Sequence, residues 1–185
     1  MEKKRCKWAS DVPEIYVKYH DEEWGVPCHD DHHLFEMLIL EGFQAGLSWL
    51  TILKKREAFR EAFDHFDATI IKDYDEDKIK TLMQNKAIVR NKRKIEAAKI
   101  NANVFIQIQK EFGSFDAYLW HFTDNKVVYD HDEPIPTSTP LSDEISNDLK
   151  KRGMKFVGTT IIYAYLQAIG VVNSHEKDCF LYQEH

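Results

Sequence analysis

The chain has 185 residues, 43% of them hydrophobic and 30% charged, with a formal net charge of −6; that suits a single domain with a real core. Its apolar runs, such as Met37 to Leu40, are far too short to span a bilayer, so no membrane partner is expected. The basic start, Met1-Glu-Lys-Lys-Arg-Cys6, has no apolar segment behind it to make a signal peptide, and three cysteines make no disulfide framework, so a cytoplasmic location is the default.

In chain order, residues 1–28 carry weak helix signals but many rings: Trp8, Tyr16, Tyr19 and Trp24 surround His20. A helix is expected from Asp31 to Glu41. Leu34, Leu38 and Glu41 fall at i, i+4 and i+7 of it, so the carboxylate shares a face with core leucines. A glycine-broken turn leads to Trp49 and a helix over Leu47–Phe63. Asp67 can cap a short helix, and Asp75 can cap another to about Gln84. A long helix over Asn91–Phe112 stops at Gly113, Ser114 caps a short one to Phe122, and Ser142 opens one that stops at Gly153. The last, Val157–Ile169, is almost wholly apolar and should run through the core. Only Lys126–Tyr129 looks strand-like. These elements predict an all-α domain of packed helices.

The net charge argues against nucleic acid, but its distribution matters more. Six bases and one acid, Glu96, fall within Lys86–Lys99, after a turn between two expected helices. Such a hairpin can present backbone N–H groups and lysines to a phosphate, or be a packing unit with no ligand. Lys54–Arg56 and Lys150–Arg152 read as solvated helix faces or ends.

Two further groups carry chemistry. Cys6 and His20 near one end, with the H-x3-C pair His175 and Cys179 near the other, make up a normal tetrahedral zinc set that would clasp the termini. Against this, the first pair is widely spaced and nine histidines make chance pairings easy. Cys28 is left over as a packed or surface thiol. Glu41 either ends its helix in solvent or is a buried anchor on the floor of an aromatic pocket with Trp49, suited to a flat heterocycle bearing N–H donors.

Several motifs are long and idiosyncratic: Cys6-x-Trp8, Tyr19-His-Asp-x-Glu-Trp-Gly-Val-Pro27, Leu34-Phe-Glu36, Glu41-Gly-x-Gln-Ala-Gly-Leu-Ser-Trp49, Ile135-Pro-Thr-Ser-Thr139 and Lys155-Phe-Val-Gly-Thr-Thr160. Together they resemble the 3-methyladenine DNA glycosylase I family, in order, from Cys6 to Cys179. The resemblance implies an all-α helix-hairpin-helix glycosylase fold spanning 1–185. Its helical core is 30–170, its hairpin lies near 84–94, and the terminal segments 1–28 and 171–185 form a zinc clasp. It puts structural Zn2+ on Cys6, His20, His175 and Cys179, and the base-contacting, catalytic carboxylate on Glu41, assisted by Tyr19. Trp49 becomes the stacking ring, with Trp8, Tyr16 and Trp24 completing the wall.

Gln44 and Leu47 would fill the gap left by a flipped nucleotide, and Arg90, Lys92 and Lys94 would meet the DNA backbone. The implied reaction is hydrolysis of the N-glycosidic bond of 3-methyladenine in alkylated double-stranded DNA, by a monomer. It releases the free base with no strand cleavage, no dedicated aspartate base and no zinc chemistry. The chain departs from the pattern in three places. Phe43 replaces a polar residue of some relatives, Lys86-Ala87 stands where a glycine is common, and Asp130–Glu133 aligns with no role.

Overall fold

A computed structural model describes residues 3–184. Its helices are α1 (Glu14–Glu22), α2 (Asp31–Gln44), α3 (Trp49–Lys54), α4 (Arg56–Ala62), α5 (Ala68–Ile71), α6 (Glu76–Gln84), α7 (Lys92–Phe112), α8 (Phe115–His121), α9 (Pro140–Lys151) and α10 (Thr159–Ala168). The two short strands, β1 (Val128–Tyr129) and β2 (Val172–Asn173), pair in parallel with Val128 opposite Val172. Among the described residues no helix is long and apolar enough to cross a membrane.

Local chemistry sets most helix starts. Asp30, Ser48, Asp67, Asp75, Asn91 and Ser114 each accept a bond from an otherwise unpaired N–H of the first turn. α9 starts earlier than Ser142: Thr139 is its cap, Pro140 takes the first helical position, and Ser142 returns a bond to the Thr139 N–H at 2.8 Å. The expected helix 47–63 is two, broken at Lys55, whose N–H donates to the carbonyls of both Ile52 and Leu53. The break turns Arg56 inward rather than onto a solvated face. Its Nε meets Glu36 Oε1 at 2.7 Å and its Nη1 meets Glu23 at 2.8 Å. Sequence reading missed α1, because its inward residues are Tyr19 and His20 rather than an aliphatic stripe.

α2 is buried continuously from Leu34 to Phe43 and so lies within the core rather than on it. α10 packs against both α2 and α9, in the central place its apolar sequence predicts. The segment after α1 is tied to the end of α10 by Gly25 N–H to Gln167 O and Cys28 N–H to Ile169 O, each 2.9 Å. Gly170 makes that approach practicable. A Cβ there would lie 2.2 Å from the Val26 carbonyl carbon, and its φ of +73° is one that side chains disfavour.

Candidate functional site

Where α1, α2, α3 and α10 meet, five rings enclose a cleft of about 120 Å³. Pockets for drug-sized ligands run to roughly 300–1,000 Å³, so this one suits a single flat base. α1 supplies Tyr16 and Tyr19, the turn before it supplies Trp8, and the segment after it Trp24. Trp8 packs edge-on to Trp24 with centroids 5.0 Å apart, and against Tyr16 at 5.1 Å. Trp49, the first residue of α3, faces Tyr19 at 5.4 Å. A roomier groove, about 400 Å³, lies between α7 and Lys155–Phe156, but no unpartnered buried polar atom lines it among the described residues.

The last turn of α2 delivers Glu41 to this cleft. It is 3% exposed, and its Oε2 is buried without a hydrogen-bond partner. Burial alone pushes its carboxyl up to about 8. Glu36, on the same helix and equally buried, shows the usual solution: Arg56 and Arg60 hold its carboxylate and bring it below its ordinary value despite burial. Glu41 is left without such a partner. Burial first, and then the charge Glu41 carries when ionised, push the Tyr16 and Tyr19 phenols up, so both stay protonated.

At the termini the fold brings Cys6, His20 and Cys179 together, with ligand atoms all within 4.8 Å of one another. His175 lies beside them: its ring centroid is 5.3 Å from that of His20, and its Nε2 is buried without a partner. Asn173 Oδ1 holds the other ring nitrogen of His175 at 2.9 Å, and Asp21, itself gripped by Arg5, holds His20 Nδ1 at 2.8 Å. Carboxylate or amide oxygens behind ligating imidazoles are the usual support of a metal site. Both thiols accept backbone N–H groups, Cys6 from Glu176 and Cys179 from Leu181. Two sulfurs and two imidazole nitrogens, one of them orphaned, fit a closed zinc site.

This cluster and the cleft share walls. Trp24 stacks near His20 and packs edge-on to His175 at 4.8 Å, while Trp8 lies 5.1 Å from His20. Gly25 must be glycine here, since a Cβ would come within 2.7 Å of the His175 ring. The Asp130–Glu133 stretch, without a role in sequence, buttresses the same region. Asp130 accepts from the Tyr163 hydroxyl at 2.7 Å, and His131 Nδ1 lies 2.8 Å from the His175 carbonyl.

The other expected residues divide. Gln44 lines the cleft and Leu47 stands 41% exposed on the turn beside it. Arg90 and Lys92 are exposed around the start of α7. Lys94 is not with them. It is buried, and its Nζ donates to Phe43 O at 2.9 Å and Ala45 O at 2.6 Å, closing the end of α2 that carries Glu41. Phe43 likewise faces inward, packed in the core against Phe59 and Phe63. Lys86-Ala87 sits in an ordered turn, where Asn85 Oδ1 accepts the Ala87 N–H at 2.9 Å and Lys55 donates to the Ala87 carbonyl. Sequence reasoning missed Gln167 and Ala164 of α10, which also line the cleft. The signal was there: a glutamine directly after the apolar run Ile161–Leu166.

The family model described as methyladenine glycosylase matches residues 8–182. The chain is 45% identical over 181 residues to DNA-3-methyladenine glycosylase 1 of Escherichia coli (strain K12), covering 96% of each. It is 42% identical to DNA-3-methyladenine glycosylase of Haemophilus influenzae, over 95% of this chain and 96% of the relative. Among solved structures, a crystal structure of 3-methyladenine DNA glycosylase I is similar with a TM-score of 0.93 and 46% identity, over 97% of this chain and 100% of the other. A structure of 3-methyladenine recognition by the Staphylococcus aureus 3-methyladenine DNA glycosylase I matches with a TM-score of 0.92 and 36% identity, over 98% and 97% of the two chains.

The raised Glu41 carboxyl has a consequence for stability. Below its ordinary value near 4.5 it is protonated whether the chain is folded or not, and burial costs no ionisation. Between 4.5 and 8 only the unfolded chain ionises, so the folded state loses stability as pH rises through that window. Glu41→Gln removes this penalty. Its stability advantage over the unaltered chain should widen by about 3–5 kcal/mol between pH 4 and pH 9, read from urea unfolding. A gap that does not change with pH would show that the carboxyl is not raised.

Proposed function

The chain belongs to the methyladenine glycosylase family, and on that footing we propose that it excises 3-methyladenine from alkylated DNA by hydrolysing the N-glycosidic bond, leaving an abasic site. The observation that carries this reading is the unpaired, buried Glu41 carboxylate inside a cage of five rings. Methylation at N3 makes the adenine cationic while it is still attached to the sugar. A cationic ring is drawn to aromatic faces and to a desolvated carboxylate, and its charge restores the ionised form of Glu41 that burial disfavours. The ionised carboxylate then accepts from the exocyclic amine while Trp49 stacks on the ring.

The base departs as a neutral molecule, so the leaving group needs no proton from a general acid. Water completes the hydrolysis at the sugar, and the strand is not cut. Normal adenine brings no positive charge and gains less from the same contacts, so selection acts on the lesion rather than on DNA sequence.

To reach the cleft the nucleotide must leave the duplex stack, which is cheapest for a damaged base. Gln44 and the exposed Leu47 stand beside the cleft mouth, where they would fill the vacated space. Arg90 and Lys92, with the turn 85–91 between α6 and α7 acting as a helix-hairpin-helix element, would meet phosphates. The same reading takes a monomer as the acting unit. Cys6, His20, His175 and Cys179 would hold Zn2+, whose contribution when bound is a cross-link between the termini and no bond-breaking chemistry. The shared walls at Trp8 and Trp24 make that cross-link a support of the cleft.

Incubated with methylated duplex DNA, the protein should release free 3-methyladenine, while Glu41→Ala should lower release by at least about 100-fold with the fold intact. Binding of the free base without release from DNA would mark a capture module instead of an enzyme. Atomic spectrometry of the purified protein should give about one zinc per chain. His175→Ala should lower both that content and the thermal midpoint. Protein that is metal-free as purified and melts no lower after the substitution would exclude the clasp.

A further inference from the structure

Building on the excision reading above, we propose that Gln167 is a second base-contacting residue, whose side-chain amide donates a hydrogen bond to a ring nitrogen flanking the exocyclic amine of the methylated adenine. Three side-chain atoms around the cleft are buried and without partners: Glu41 Oε2, Trp49 Nε1 and Gln167 Nε2. Each such atom costs folding stability, and native proteins keep few of them. The Trp49 N–H lies in the plane of its ring, so it does not reach the edge of a base stacked on that ring's face. Glu41 and Gln167 remain, an acceptor and a donor lining one small cleft without bonding each other. That complementary pair of vacancies fits an edge that carries a donor beside an acceptor, which the amine and adjacent ring nitrogens of adenine provide.

The amide is held in place by its backbone. Gln167 is 8% exposed, near the end of α10. Its carbonyl accepts from Gly25 N–H at 2.9 Å and from Gly170 N–H at 3.3 Å, so the helix end is fixed against the segment that also carries Trp24. Ala164, three residues earlier and on the same face, keeps the wall next to it low. On the six-membered ring of guanine the pattern is reversed, with a carbonyl for the amine and an N–H for the ring nitrogen. Glu41 would then face a carbonyl of its own kind, and with N1 as the contacted nitrogen Gln167 would face an N–H, so that both would disfavour 3-methylguanine.

Quenching of tryptophan fluorescence can follow binding of free 3-methyladenine and of its 1-deaza and 7-deaza analogues, which each lack one flanking nitrogen. The unaltered protein should bind one of the two analogues at least about tenfold more weakly than 3-methyladenine. Gln167→Met keeps the length and removes the amide. It should weaken 3-methyladenine by a similar factor, bind that analogue as the unaltered protein does, and melt no lower, since it deletes an unpaired buried group. Equal binding of all three bases by the unaltered protein would overturn the assignment without any variant. So would a Gln167→Met protein that loses affinity for all three bases alike, the mark of a packing role. Release of 3-methyladenine from DNA, measured alongside, keeps the two readings apart. If release persists while the analogues bind equally, only Gln167 fails. If there is neither release nor binding, the excision reading falls and takes this assignment with it.

Discussion

A carboxylate buried without a partner is the constraint around which this structure is arranged. Glu36 and Glu41 lie on one helix and are each 3% exposed, yet only Glu36 has arginines. Supplying Glu41 with a cation from the protein would have been the stabilising choice, and the fold withholds it. Unliganded, Glu41 keeps its proton to about pH 8; on the proposed reading the cation that would ionise it is the alkylated purine itself. On the proposed reading, selectivity and catalysis rest on the same destabilised group, since what the folded chain loses by desolvating Glu41 a cationic base would regain on binding.

Keeping that carboxylate dry requires walls, and the walls come from chain segments that lack strong structure of their own. Trp8, Trp24, His20 and His175 form one continuous packing of rings between the termini and the cleft. Close backbone approach at Gly170, and room for the His175 ring at Gly25, let residues 25–28 lie against the end of α10. From the other side Lys94 ties off the carbonyls at the end of α2. Glu41 is thereby fixed near the end of its own helix.

Features governed by local chemistry were legible in the sequence. Caps at Asp67, Asp75 and Ser114, and the central run of α10, follow from side chains bonding their own first turn or from unbroken apolarity. The ring-and-carboxylate cleft was legible as a combination, though spacing alone left Glu41 open to two readings. What depended on distant partners was not legible. Lys94 sits in a basic run and looks like a phosphate ligand, but carbonyls some fifty residues away claim it. Arg56 looks like a solvated helix face until Glu36 and Glu23 are seen against it. α1 hides because its buried face is aromatic and polar, and Gln167 hides because one amide in an apolar helix reads as an interruption of the core.

The most direct measurement is the titration of the Glu41 side-chain carboxyl by carbon-13 NMR, in the free protein and with methylated duplex DNA bound. We expect a midpoint near 8 in the free protein, displaced to lower pH once the cationic base occupies the cleft. An ordinary carboxylate midpoint in the free protein, unchanged by the DNA, would mean that Glu41 is neither withheld from solvent nor answered by the base.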